Sequence, residues 1–579
     1  MVLSSESSTL RSALKSRILG NTSPWLLLIP TLAFLVVTVS RNVLIQAGGL
    51  DAYIYTSYIQ NYSDLAARYG LTYYSARIAH LYPAGLAVKV FGSYAGYFVY
   101  RFLLLTVALS AIWIFTRKDY GVATAALGVV LTSCHPWLLR SLFWDHYDSS
   151  GVVYLLVATV LIGTANPTSN LKVFIAGGAY ALAANCNTFL VGVGGMLYVT
   201  YILINLRSGL RNGLRFTGIS FCGFLAFYFP LCIIHYVALP AQGILFDLVA
   251  IRFSRTMMAG LGRVWHLDVI PLIQKGWIHL LVPVIVLAAG AGLAIIRRGK
   301  IRGVFMFSVI NLLLVVCLFV VVDTIYKIAV ISLFYYFIYL FPATWLCLVA
   351  FMGECADGLD DRTTYSIAAV SGVAALTAYI AYHSIAQTIV SLNVWVITVG
   401  AVMILACAIA NRRASLRMVC AALFAILTPA AFYRMPAGTY SAIHDGSPGL
   451  EWDVYRAALE LQRMVSNDPP SAGTVGFWYT NRASLLNSVQ SMYLWGPSRL
   501  ASPADPGGGM PVLSPSDLRR LSQFRRIFLL SERENEIDEG LRALMAAGVK
   551  MRTIGRASYD GRFFHMIYLA VERMDDRTG

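Results

Sequence analysis

The sequence predicts a polytopic α-helical membrane protein with about thirteen transmembrane helices and a C-terminal extracytoplasmic α/β domain. Of its 579 residues, 58% are hydrophobic and only 13% are charged, and the mean hydropathy is +0.65. Soluble domains carry about 25% charged residues. Most of the net charge of +16 lies in residues 1–432, which hold 28 Lys and Arg against 13 Asp and Glu. Basic residues in short connections between apolar runs are typical of membrane orientation and not of nucleic-acid binding.

Apolar runs of about 17 to 25 residues are long enough to cross a bilayer as helices. About thirteen runs approach or reach this length: 24–40, 94–116, 120–138, 149–163, 171–186, 188–205, 215–237, 277–296, 302–322, 328–352, 364–382, 389–410 and 415–432. With the N-terminus in the cytoplasm, the inside segments hold 17 basic residues, whereas the short outside loops hold only Arg140 and Lys327. This bias predicts a plasma (inner) membrane protein whose residues 1–432 form the membrane module and whose residues 433–579 lie outside.

Three predicted outside loops share one face and so are expected to converge on one site: 41–93, 139–148 and 238–276. In the first loop, apolar spacing predicts a helix over 50–69. A second short helix is expected to carry Arg77 and His80 on one face and to end at Pro83. Both helices are expected to lie on the membrane surface.

The C-terminal part has more charge and more Pro and Gly than the rest of the chain. Its pattern predicts strands at 474–479, 526–530 and 563–571, with helices at 450–466 and 532–547. Alternating strands and helices are typical of a small α/β domain.

Acidic side chains in the first and second of these loops are the main candidates for catalysis. Asp51 follows two glycines at the predicted start of a helix, so it is either a general base or metal ligand, or a helix-capping carboxylate. Asp145 and Asp148 flank His146 where a span begins, and ionisable groups at that depth are by default functional. The alternative is that they cap helix ends, with Asp148 as an N-cap. Together the carboxylates would either bind a divalent cation through oxygen ligands or divide base and electrostatic roles.

Basic residues in the long loops are candidates for binding a phosphate. The guanidinium of Arg77 has the geometry for that task, with His80 beside it. The alternative is that both side chains extend toward lipid headgroups. Arg252 and Arg255 in the 238–276 loop are similar candidates, with solvated or headgroup-facing charge as the alternative.

These motifs resemble those of a known superfamily of membrane enzymes. The runs are Gly49-Leu50-Asp51-Ala52-Tyr53-Ile54-Tyr55, then Tyr73-Tyr74-Ser75-Ala76-Arg77 and Tyr82-Pro83, and later Trp144-Asp145-His146-Tyr147-Asp148. They resemble the GT-C membrane glycosyltransferases, which include protein O-mannosyltransferases, aminoarabinose transferases and single-subunit oligosaccharyltransferases. The resemblance covers the topology and roughly residues 24–165, and it implies a GT-C-like fold.

The resemblance also implies a function and a set of roles. The substrate would be a sugar linked to a polyprenyl phosphate, used on the outer side of the membrane. Asp51 would activate the acceptor or help hold a metal (Mg²⁺ or Mn²⁺), together with the second-loop acids Asp145 and Asp148. Arg77 would bind the donor phosphate, and the remaining candidates for substrate binding are Tyr55, His80, His146, Arg252 and Arg255.

Two departures from the family pattern bear on the metal and on the acceptor. The acidic pair is Asp-x-x-Asp and not Asp-x-Asp, and residues 433–579 contain no Trp-Trp-Asp. A glycan or lipid acceptor is therefore expected in preference to a peptide. Two other functions remain open: a transporter or flippase of polyprenyl-linked glycans, and an O-antigen polymerase or ligase, for which the 238–276 loop would be the relevant feature.

Overall fold

The protein is described here by a computed structural model. The structure describes residues 74–133, 148–165, 169–205, 210–238, 277–297, 301–328, 334–357, 359–374, 414–431, 475–479, 499–500, 525–531, 533–561 and 565–574, with shorter pieces at 31, 55, 58–59, 62–63, 66, 135, 138, 141–142 and 330–331.

The membrane part consists of apolar helices packed around one continuous hydrophobic core. In chain order they are α1 (Ile78–Phe91), α2 (Ser93–Ser133), α3 (Asp148–Gly163), α4 (Asn170–Cys186), α5 (Phe189–Asn205), α6 (Leu210–Ala238), α7 (Trp277–Ile296), α8 (Gly303–Thr324), α9 (Phe341–Ala356) and α10 (Ala414–Ala431). Residues 361–374 and the described residues between 55 and 66 are also helical. Helices α3 to α8 coincide with predicted apolar runs to within a few residues.

Four of the described helical stretches are long and apolar enough to cross a membrane by length and composition. They are Val99–Ser133, Asn212–Val237, Gly303–Thr324 and Ile338–Ala356. The predicted runs at 389–410 and, apart from Thr31, at 24–40 lie outside the described residues. The number of spans therefore stays a prediction.

Helix α2 is two antiparallel arms joined at Gly121. This glycine has φ 86° and ψ 175°, which are not helical angles. A Cβ at Gly128 would lie 3.3 Å from the Ile112 side chain, although sixteen residues of straight helix would span about 24 Å. The chain therefore reverses at Gly121, where glycine tolerates a positive φ. This reversal explains why the sequence shows two apolar runs, 94–116 and 120–138.

Helices α4 and α6 touch backbone to backbone through glycines. A Cβ at Gly177 would lie 1.9 Å from the Ser220 carbonyl oxygen, and one at Gly223 would lie 1.9 Å from the Phe174 carbonyl oxygen. Small residues allow this close approach in membrane helices, where packing and not the hydrophobic effect holds helices together.

The predicted span at 328–352 differs from the structure. Residues Phe334–Leu340 form a 3₁₀ helix, and the α-helix begins only at Phe341, with Pro342 in its first turn. Proline is favoured there because the first helical N–H groups have no intrahelical partner. The aromatic run before it, Phe-Tyr-Tyr-Phe-Ile-Tyr, is apolar enough to extend the predicted helix but adopts the tighter turn.

Charged side chains are clustered where α7 and α9 end, α8 begins and α2 reverses. Glu354 of α9, whose side chain is 1% exposed, lies 3.3 Å from Arg297 and 3.4 Å from Arg302. The Tyr120 hydroxyl donates to the same carboxylate at 3.2 Å, and Asp357 pairs with Arg302 at 3.3 Å. This Glu354 network ties four elements together at the end that the basic bias predicts to face the cytoplasm.

The described residues after 474 include a five-stranded sheet and one helix. The strands are β1 (Val475–Tyr479), β2 (Arg499–Leu500), β3 (Arg526–Ser531), β4 (Met551–Asp560) and β5 (His565–Arg573), and α11 (Glu534–Ala546) follows β3. The strand order is β2-β1-β3-β5-β4. Strand β1 is parallel to β2 and β3, and β5 is antiparallel to β3 and β4. Strands β1, β3 and β5 and helix α11 lie where the sequence predicts them; the predicted helix at 450–466 lies outside the described residues.

Ion pairs around Glu572 link the internal strand β5 to its two neighbours, β3 and β4. The Glu572 carboxylate lies 3.1 Å from Arg552 and 3.3 Å from Arg525. Burial raises the pKa of Glu572, but the hydrogen bond from Arg552 and the charges of Arg526 and Arg525 outweigh it, so that the pKa lies below its usual value. The domain boundary at 432/433 and the extracytoplasmic position of the sheet stay predictions.

Candidate active site

The first loop packs into the bundle through tyrosines. Tyr55 and Tyr58 are buried, and the Tyr55 ring makes an edge contact with Tyr74 at 5.3 Å between centroids. The Tyr62 hydroxyl donates to the Ser75 carbonyl at 3.0 Å. Burial raises the pKa of Tyr62, with a smaller effect from Tyr58, so this phenol remains a neutral donor.

Arg77 immediately precedes α1, at its N-cap position, in a turn formed by residues 74–80 that we call the Arg77 turn. Its φ and ψ are −86° and 51°, and its side chain makes no capping hydrogen bond. The residue is 2% exposed. A guanidinium is charged at every physiological pH, so this turn places a permanent positive charge inside the protein.

Asn185, in the last turn of α4, makes three hydrogen bonds to the Arg77 turn. Its Oδ1 accepts from the Ala79 N–H at 2.8 Å, and its Nδ2 donates to the Ala76 carbonyl at 3.2 Å. Its backbone carbonyl accepts from Arg77 Nη1 at 3.4 Å. Asn185 is itself buried, so the contact is shielded from solvent.

His80 lies one turn further along and links α1 to α3 and α4. Its Nδ1 is 2.9 Å from Ser150 Oγ, and Ser150 Oγ is 3.4 Å from Cys186 Sγ. The imidazole ring lies edge-on to Tyr55 and to Tyr100, with centroids 6.0 Å and 6.1 Å away. The His80 side chain is therefore fixed on one edge by a hydrogen bond and on its sides by aromatic rings.

Pro83 lies inside α1 and does not end it, so that prediction is wrong. The helix runs to Phe91. Proline lacks the N–H that would bond to the carbonyl four residues earlier, which is that of Ala79. The Tyr154 hydroxyl of α3 donates to this carbonyl instead, at 3.1 Å. A partner from a neighbouring helix thus satisfies the group that Pro83 leaves unpaired.

Asn187, just after α4, joins this region to the 3₁₀ helix. Its side-chain amide donates to the Tyr339 hydroxyl, and its Oδ1 accepts from the Phe189 N–H at 2.9 Å. The Phe189 ring then meets Phe319 at 5.1 Å and Tyr336 at 5.9 Å. The tripeptide Asn185-Cys186-Asn187 therefore contacts α1, α3 and the 3₁₀ helix with three successive side chains.

The structure brings three of the candidate residues together: Tyr55, Arg77 and His80. The burial of Arg77 and His80, each 2% exposed, disfavours the alternative that they extend toward lipid headgroups. These two side chains are packed inside the bundle, and the position of the first-loop helices at the membrane surface stays a prediction. Asp148 begins α3, two residues before the serine that contacts His80. The start of α3 therefore lies beside the first loop, whereas the convergence of all three outside loops stays a prediction.

The other candidates are not described by the structure. Asp51, Asp145, His146, Arg252 and Arg255, together with the side chain of Asp148, lie outside the described residues. Within the described ranges, no group of three or more His, Cys, Asp and Glu is placed to hold a metal ion. The proposed metal ligands are among the undescribed side chains, so the divalent cation stays a prediction.

Several residues of this site were not predicted from the sequence. Asn185, Ser150 and Tyr154 hold Arg77 and His80 in place through the contacts given above. The available signal was polarity within apolar runs, because asparagine and serine at such depth usually make hydrogen bonds between helices. Pattern analysis does not say which partner each would find.

Together, these features place a fixed positive charge, an imidazole and several tyrosines at one end of a helical bundle. A buried guanidinium with hydrogen-bonding neighbours suits a phosphate group, which it can bind in a planar, bidentate manner.

The chain is a polytopic helical protein that shares its fold with a solved membrane transferase of the GT-C class. The crystal structure of ArnT, an aminoarabinose transferase, from Cupriavidus metallidurans bound to undecaprenyl phosphate aligns with a TM-score of 0.50 at 11% identity, over 94% of this chain and 97% of that chain. The structure of the same protein in the apo state aligns with a TM-score of 0.48 at 13% identity, over 93% and 97%. No protein-family model and no curated protein sequence matches the chain. At this identity the likeness establishes the fold alone.

Proposed function

We propose that this protein is a glycosyltransferase that moves a sugar from a polyprenyl-phosphate-linked donor to a glycan or lipid acceptor at the extracytoplasmic face of the membrane. The observation that carries the proposal is the buried Arg77, held beside His80 where the first loop meets the start of α3. The GT-C fold supports it, since a solved protein of that fold is bound to undecaprenyl phosphate.

The chemistry requires few groups. The acceptor hydroxyl must lie behind the anomeric carbon, lose its proton, and displace the lipid phosphate. In the proposal, Asp51 takes that proton and Arg77 balances the charge on the departing phosphate. Inversion at the anomeric carbon follows from a single displacement. Asp145 and Asp148 would supply a second pair of carboxylates to the site, which either bind a cation or orient the acceptor.

The test is turnover by the purified protein with polyprenyl-phosphate sugars, measured as release of the lipid phosphate. Asp51→Asn is expected to lower kcat by about 10²–10⁴-fold, the usual contribution of a general base. Asp360→Asn is the matched control, because Asp360 caps a helix at the Thr363 N–H at 2.9 Å and asparagine caps equally well. Addition of a chelator to the same assay tests the cation.

The outcomes separate the competing functions. Wild-type protein that releases no lipid phosphate, but moves labelled lipid-linked glycan across a vesicle membrane, would be a flippase. Products lengthened by whole repeat units would identify a polymerase. Turnover that persists in Asp51→Asn would remove Asp51 from the proposed role while leaving the reaction itself in place.

A further inference from the structure

The turn that carries Arg77 is capped from another helix. An α-helix has N–H groups in its first turn with no partner within the helix, and the residue at the N-cap usually satisfies one of them. Ser, Thr, Asp and Asn perform that task; arginine does not. Here the N-cap is Arg77, which makes no capping bond, and the Ala79 N–H is satisfied by Asn185 Oδ1 at 2.8 Å.

Asn185 does more than cap the helix. Its amide nitrogen also binds the Ala76 carbonyl on the other side of Arg77, and its own carbonyl accepts from the guanidinium. The three bonds therefore fix the backbone before and after Arg77 and one end of its side chain. A simple capping requirement would be met by a small polar residue at position 77. Capping by a second helix leaves that position available for a long cationic side chain.

We propose that Asn185 is a positioning residue for the donor phosphate: it holds Arg77 where the guanidinium meets the phosphate of the polyprenyl-linked sugar. The inference rests on the proposed function. Asn185 itself does not touch the reacting atoms, and its effect passes through Arg77. Because a displacement of about 1 Å in a positioned group can cost about 10²-fold in rate, loss of this support is expected to weaken both donor binding and turnover.

The experiment compares Asn185→Ala with Asn311→Ala in the full-length protein. Asn311 is an equally buried asparagine, 2% exposed, whose Oδ1 accepts from Thr200 at 3.4 Å between α8 and α5. Both variants lose a buried amide and are expected to lower the melting temperature. Two quantities separate them: the Kd for undecaprenyl phosphate alone and the KM for the sugar donor. Asn185→Ala is expected to raise both by about tenfold or more, and Asn311→Ala by less than about twofold.

A conservative variant adds a second readout. Asn185→Gln keeps a neutral amide with both the acceptor and the donor, displaced by one methylene, so an intermediate rise in Kd and KM is expected. This variant can still cap the helix at the Ala79 N–H, so Kd and KM can be measured on it even if Asn185→Ala does not fold. In an Arg77→Gln background, Asn185→Ala should lower stability without a further rise in Kd, because residues acting through one another are not additive.

The failure modes are distinct. If wild-type protein neither binds undecaprenyl phosphate nor releases lipid phosphate, the proposed function fails. If wild-type binds and turns over, and the Asn185 variants lose stability as Asn311→Ala does with unchanged Kd and KM, Asn185 serves the fold only and the inference is overturned.

Discussion

The contact between Tyr154 and the Ala79 carbonyl makes a quantitative prediction. Ala79 is fully buried, and its carbonyl has no intrahelical donor because residue 83 is proline. The Tyr154 hydroxyl, at 3.1 Å, is the donor from α3 that replaces the missing one. Tyr154→Phe removes this donor and keeps the ring. The buried carbonyl is then unsatisfied, at an expected cost of about 1–3 kcal/mol in the free energy of unfolding.

A second substitution tests the cause. Pro83→Ala restores an N–H at position 83, which can bond to the Ala79 carbonyl in the ordinary helical pattern. In that background Tyr154→Phe is expected to cost less, since only the contact of its hydroxyl with Tyr100 is then lost, so the two changes should show a coupling energy of about 1–2 kcal/mol. The measurement is denaturant-induced unfolding of the four proteins in one detergent, followed by tryptophan fluorescence.

Additive behaviour would refute this reasoning. If Tyr154→Phe costs the same with proline and with alanine at position 83, the hydroxyl matters for some other contact and the account of how α1 continues through Pro83 is wrong.

Three further predictions concern packing and charge. Gly177→Ala should destabilise the protein by more than about 2 kcal/mol, because its Cβ would meet the α6 backbone. Gly195→Ala, with open space around it, should be neutral or stabilising by up to about 1 kcal/mol. Thermal unfolding of both variants checks this, and equal effects would contradict it. Glu354→Gln should lower stability by about 2 kcal/mol, because it leaves partly buried arginines without their carboxylate; the loss should be largely insensitive to added salt, as for buried pairs and unlike surface pairs. The pKa of Glu572 is lower in the folded state than in the unfolded chain. Its contribution to stability is therefore present above the unfolded pKa of about 4.3 and is lost as the pH falls through the folded-state pKa. Circular dichroism between pH 7 and pH 3 should show a less acid-sensitive sheet in Glu572→Gln, and identical acid transitions would count against the assignment.

The helical part of the fold was largely predictable because a bilayer imposes length and apolarity on each span. Helices α3 to α8 follow apolar runs nearly residue by residue. Errors occur where that constraint is weak. The aromatic run before Phe341 is as apolar as a membrane-spanning helix but forms a 3₁₀ helix. Pro83 was expected to end its helix, but α1 continues because the Tyr154 hydroxyl bonds the carbonyl that the proline leaves without a donor.

In the sheet, too, some strands were predictable from the sequence and one long strand was not. Strands β1 and β3 were predicted because both are apolar, and β3 is buried along its length. Strand β4 was not, because it lies at the edge of the sheet and none of its residues is fully buried. Its position is set by pairing with β5, with an irregularity between Thr553 and Gly555. Such pairing is a tertiary effect that local pattern does not encode.

The candidate site was predictable in residue type but not in geometry. Arg77 and His80 were selected as a pair on one face, and both lie in the same buried cluster. The sequence alone left open whether they face lipid or protein. The answer depends on Asn185 and Ser150, which are distant in the chain and reach these residues only through helix packing.

The backbone contact between α4 and α6 has a mechanical consequence. Two helices joined through Gly177 and Gly223 cannot slide past each other without steric clash. Helix α6 precedes the long 238–276 segment in the chain. The last turn of α4 carries Asn185, which is hydrogen-bonded to the Arg77 turn. An axial shift of α6 would therefore have to be matched by α4, the helix whose last turn holds the backbone on both sides of Arg77.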